Sequence, residues 1–75
     1  MSKLPTVSAS ECIQVLEKTG FYIHRQKGSH ITMRRSDPRK SVTVPNHKEL
    51  AKGMLRKIIA DAELTVDQFI ELLKD

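Results

Sequence analysis

"FYIHRQKGSHITMRR" (residues 21–35) decides the fold. Gln26, Lys27 and Gly28 read as a tight turn between two alternating runs, which makes the stretch an antiparallel hairpin. Phe21 and Ile23 share one face of the first run, Ile31 and Met33 share one face of the second, and both pairs require the core. A two-residue turn at Lys27-Gly28 would pair Ile23 with Thr32 and set the apolar pairs on opposite faces. A three-residue loop, Gln26-Lys27-Gly28, pairs Ile23 with Ile31 instead and gives Gly28 the positive φ such loops need. The expected register therefore lays His24 across from His30 and Tyr22 across from Thr32 on the outer face.

A turn at Ser36-Asp37-Pro38-Arg39 leads into a third strand, "KSVTVP" (40–45). Matching Val42 with Met33 and Val44 with Ile31 keeps the core face consistent. It also brings Pro45, which ends the strand, beside His30 and places His47 near the same end of the sheet.

Helices flank this sheet. Ser8-Ala9-Ser10-Glu11 is a capping box that starts a helix from Ala9 to about Thr19, closed by Gly20. "ELAKGMLRKIIADAEL" (49–64) carries Leu50, Met54, Leu55, Ile58, Ile59 and Ala62 on one stripe, with the regular helix starting near Gly53. Thr65-Val66-Asp67-Gln68 is a second capping box and opens a short last helix. The fold class is α+β, in the order α-β-β-β-α-α, with a three-stranded antiparallel sheet and the helices on one of its faces.

The 75 residues make one small domain, 1–75, with a thin core and modest stability of its own. "MSKLPTVSASEC" has no apolar segment of a secretion signal, and no apolar run is long enough for a membrane span. The single cysteine, Cys12, cannot make an internal disulfide and lies on an apolar helix face, so the cytosol is the expected compartment. Charge is uneven. Of the 13 Lys and Arg, ten lie between His24 and Lys57, against only Asp37 and Glu49 there, while the remaining segments are net acidic. A basic middle of this kind suits a polyanion.

Three blocks, "GFYIHRQKGSHITMRR", "VTVPNH" and "KGMLRKII", resemble the HicA (YcfA-like) toxins of bacterial toxin–antitoxin pairs, over about Ser8 to Leu73. The resemblance implies a fold like the double-stranded RNA-binding domain and ribosome-independent cleavage of mRNA. It implies a cognate antitoxin resembling HicB as partner, and makes His30, the histidine of the Gly-Ser-His block, catalytic. Met54 stands where that family often has Thr, and His24 has no counterpart role in it.

The residues themselves suit this chemistry. RNA carries its own nucleophile, the 2′-OH, so cleavage needs proton transfer and neutralisation of phosphate charge. An imidazole and nearby Arg and Lys can supply both. His30 is the candidate general acid–base. Tyr22, His24, Arg25, Lys27, Ser29, Arg34, Arg35, His47 and Lys48 are the candidate RNA contacts. Lys52, Arg56 and Lys57 read equally well as RNA contacts or as the wet side of a helix. The three histidines fit no metal-ligand spacing, so neither metal nor other cofactor is expected. With one tyrosine and no tryptophan, recognition should rest on backbone and 2′-OH with weak sequence preference. The alternative is a non-catalytic RNA-binding module using the same basic face. Direct DNA binding is not expected, since no helix-turn-helix pattern is present.

Overall fold

A computed structural model of the chain describes residues 3–74. The element order is α1 (Ala9–Lys18), β1 (Tyr22–Lys27), β2 (His30–Ser36), β3 (Arg39–Pro45), α2 (Lys52–Asp61) and α3 (Val66–Lys74), with the strands in the order β1-β2-β3. This is the α-β-β-β-α-α arrangement that the sequence patterns give.

Both capping boxes form. Ser8 Oγ accepts from the Glu11 amide at 3.1 Å, while the Glu11 carboxylate accepts from the Ser8 amide at 3.0 Å. Thr65 and Gln68 repeat the exchange at 3.0 and 2.8 Å. At the end of α1, Gly20 takes φ +99 and Phe21 N–H reaches back to the Leu16 carbonyl at 3.1 Å. The end of α2 closes in the same way, Leu64 N–H donating to the Ile59 carbonyl at 3.0 Å. The left-handed position there is filled by Glu63, at φ 63, where glycine is the usual choice.

The β2–β3 register is the expected one: Ile31 pairs with Val44, Met33 with Val42 and His30 with Pro45. These four apolar side chains are buried against Leu16, Leu55, Ile58 and Phe69 in one cluster.

The hairpin before them differs from expectation. Its turn has two residues, Gly28 and Ser29, and Lys27 pairs with His30. Gly28, at φ +59, takes the first central position, which type II′ turns reserve for glycine. A bulge between Ile23 and Arg25 then shifts the register by one residue, so Ile23 pairs with Met33 and not with Ile31, which pairs with Gln26 instead. His24 is the bulged residue and has no cross-strand partner, so it does not lie opposite His30. Tyr22 lies opposite Arg34 rather than Thr32. Ile23 is not in the core either, being 50% exposed. The reason is coverage: α1 and α2 contact β3, whereas β1 lies at the far edge with all six residues exposed. A strand with no buried face leaves its register to the turn and the bulge.

Candidate functional site

Alternation along the strands builds the site. Because Ile31, Met33, Val42 and Val44 point inward, their neighbours point outward and line up as rungs. Lys27, His30 and Pro45 form one rung, and Arg25, Thr32 and Thr43 the next. Tyr22, Arg34 and Ser41 form the third, with Ser36 and Arg39 beyond it. The open face of the sheet thus carries basic side chains from all three strands, with hydroxyls interleaved on β2 and β3.

His30 stands at the first position of β2, exposed, directly after the turn. That turn is pinned from outside the hairpin, since Asn46 N–H donates to the Ser29 carbonyl at 2.6 Å. Alongside β3 runs α2, and between them lies a groove of about 280 Å³. His30, Ser41 and Thr43 line its sheet wall, while Met54, Lys57 and Asp61 line its helix wall. Pro45 and Ile58, both buried, supply its apolar part. Lys57 Nζ lies 3.3 Å from Asp61 Oδ2, one helical turn on, and its side chain is 70% exposed. An imidazole, an ammonium and two hydroxyls, donors suited to a phosphodiester, therefore border one open space, with the Asp61 carboxylate beside them as the partner of Lys57.

The other candidate residues are distributed around this centre. Arg25 and Lys27 share the outer face with His30, as do Tyr22 and Arg34 toward the other end. Ser29 contributes its carbonyl to the pinned turn. His47 lies at the same end of the sheet as His30 but lines a different cleft, together with Ser8, Ser10, Asn46 and Lys48. Its carbonyl accepts the Ala9 N–H at 2.9 Å, which fastens the start of α1 to this loop. His24 occupies the bulge, away from the groove lining.

Arg35 is separated from Arg34 by the strand's alternation and faces the helix side. Its guanidinium pairs with Glu63, lies 5.0 Å over the Phe21 ring and donates through Nε to the Pro38 carbonyl at 2.9 Å. Its side chain is only 13% exposed. The hydrogen bond and charge of Arg35 hold the Glu63 carboxyl below its usual range. These contacts make Arg35 a clasp between β2 and the ends of α1 and α2.

Ser41, Thr43 and Asp61 are groove residues that sequence reasoning did not single out, and Lys57 was open there between an RNA contact and the wet side of a helix. The available signal was the spacing of Met54, Lys57 and Asp61, three and four apart, which puts them on one helix face. Arg39 was also passed over, although its alternation with Ser41 and Thr43 sets it on the outer face. No group of three or more His, Cys, Asp or Glu among the described residues is placed to hold a metal ion. No helix of the described residues is long and apolar enough to cross a membrane.

A protein-family model described as the HicA toxin of bacterial toxin–antitoxin matches residues 9–64, which takes in α1, the whole sheet and α2. No curated protein matches the chain.

Proposed function

The chain belongs to the HicA toxin family of bacterial toxin–antitoxin systems, and on that premise we propose that it is an endoribonuclease that cleaves mRNA, with His30 as general acid–base. The observation that carries this reading is the position of His30, at the mouth of a groove whose far wall presents Lys57.

In the proposed reaction the substrate's own 2′-oxygen attacks the adjacent phosphorus. His30, as neutral imidazole, takes the 2′-OH proton while the new O–P bond forms. Charge gathering on the non-bridging oxygens meets the Lys57 ammonium and the hydroxyls of Ser41 and Thr43. The bond from phosphorus to the 5′-oxygen breaks, and that oxygen leaves with a proton from the His30 imidazolium. The products are a 2′,3′-cyclic phosphate and a 5′-hydroxyl. No step needs a bound metal, because the nucleophile is in the RNA. Tyr22, Arg25, Lys27 and Arg34, on the same face, would hold the flanking strand, with Lys48 and His47 contributing from the adjoining cleft.

A cognate antitoxin of HicB type, carrying acidic side chains, would inhibit by covering this face. The basic charge of the face favours such a partner, in encounter rate and in selectivity. The cytosol, where mRNA is found, is the compartment this function requires.

The test is cleavage of single-stranded RNA by purified protein in the presence of EDTA, with the ends of the fragments identified. Cyclic-phosphate ends that disappear in His30→Ala support the reading. Wild-type protein that binds RNA and never cuts it would make the chain a binding module instead.

A further inference from the structure

Two arginines adjacent in sequence have opposite fates in this fold. Arg35 is neutralised by Glu63, whereas Arg34 makes no ion pair with any described residue. Arg39 is likewise without an ion-pair partner among the described residues. The register brings these two together. Arg34 pairs with Ser41 and Arg39 with Ser36, so on the outer face Arg34 and Arg39 are diagonal neighbours, about 7–8 Å apart. They border two adjoining clefts in common, one shared with Ser41 and the other with Tyr22 and Ser36.

Two uncompensated arginines on diagonal strand positions repel each other, and an anion between them relieves that repulsion. Long side chains at that separation can both reach one phosphate, and the serine hydroxyls beside them are neutral donors. Tyr22 stands directly across from Arg34, 46% exposed, with its ring available to a base. Phosphate donors beside an exposed ring describe a nucleotide.

We propose that Arg34 and Arg39, with Tyr22, form a second nucleotide-binding subsite that holds single-stranded RNA away from the scissile bond. The proposal rests on the ribonuclease reading above and adds a path to it. Arg34 lies four positions along β2 from His30, about 13 Å at the rise of a strand. A short run of extended nucleotides spans that distance along the outer face. Productive binding therefore requires more than the two nucleotides that flank the cleaved bond, and very short substrates are turned over poorly.

The experiment measures binding of a 2′-O-methyl single-stranded hexanucleotide, which cannot be cleaved, to wild-type protein and to R34A/R39A, over a range of salt. Native fold is checked by circular dichroism. The proposal expects the double variant to bind about tenfold more weakly at low salt, with the log–log salt slope shallower by about 0.7–1.4 as one or two phosphate contacts are lost. Tyr22→Ala should weaken binding without changing the slope, and R34K/R39K should recover most of the slope. In parallel, kcat/KM on a cleavable hexanucleotide should exceed that on a dinucleoside monophosphate, and R34A/R39A should shrink the ratio. A folded double variant with wild-type affinity, slope and ratio overturns the subsite. So does a variant that loses only its hold on an acidic protein partner, which would make the pair a protein contact. Wild-type protein that neither binds this hexanucleotide nor cleaves its unmodified counterpart overturns the ribonuclease reading, and the subsite with it.

Discussion

Arg35 pairs with Glu63, joining the middle strand to the residue that turns the chain out of α2. The carboxylate is delivered from a left-handed backbone, so the ion pair and the backbone cost are carried by one residue. Substitutions separate them. Glu63→Gln loses the charge and keeps the cost, whereas Glu63→Gly loses the pair and removes the cost. Thermal unfolding should rank wild type above Gly and Gly above Gln, and a Gln variant more stable than the Gly variant would refute the division.

The same pair makes a prediction about acid. Since Arg35 holds the Glu63 carboxyl below its usual range, its contribution to stability is complete above that range. It disappears as pH falls through the depressed value, where folded and unfolded carboxyls are both protonated. Unfolding curves in that acid window should show wild type converging on Glu63→Gln.

Burial pushes the Cys12 thiol from 9.0 up to about 12. In the native state it should resist a thiol reagent at neutral pH and react at the rate at which the fold opens. Because the folded value is raised, stability is fully present below about 9.0 and falls as pH climbs toward about 12. Rapid labelling of folded protein at neutral pH would show that α1 is not seated as described.

His30→Ala should fold normally, since the side chain is exposed and its removal leaves no cavity. Cleavage should fall by about 10²–10⁴-fold, the usual worth of a positioned acid–base. Lys57→Met should lower kcat about tenfold and change KM little, a modest figure because the ammonium is largely solvated. A raised KM with kcat unchanged would make Lys57 a general RNA contact instead.

Antitoxin binding should protect the amides of residues 22–34 from hydrogen exchange, as occlusion of the His30 face requires. Protection confined to residues 63–73 would place the partner at the acidic C-terminal helix and the inhibition at a distance.

Where a sequence signal was tied to burial, it was legible. Ile31, Met33, Val42 and Val44 had only one way to share a core, and the β2–β3 register followed with Pro45 beside His30. Ser8 with Glu11 and Thr65 with Gln68 marked their helix starts by local chemistry alone. The first strand departs from its pattern because Ile23, though apolar, is not buried. No helix covers β1, so a bulge at His24 was as acceptable as a longer loop. The far wall of the groove was hidden for another reason. Periodicity shows which side of α2 faces the core, but not that Lys57 reaches the outer face of the sheet. That depends on where α2 rests against β3, which is a tertiary fact.

The two walls of the groove are also separated in time. Synthesis delivers α1 and the hairpin first, and at about 5–20 residues per second α2 emerges appreciably later. Until α2 settles against β3, His30 has an open sheet in front of it and no ammonium facing it. A chain interrupted before α2 carries the imidazole without Lys57 or Asp61. The layout thus delays the assembled groove until α2 has been made, a built-in postponement set by the order of the residues alone.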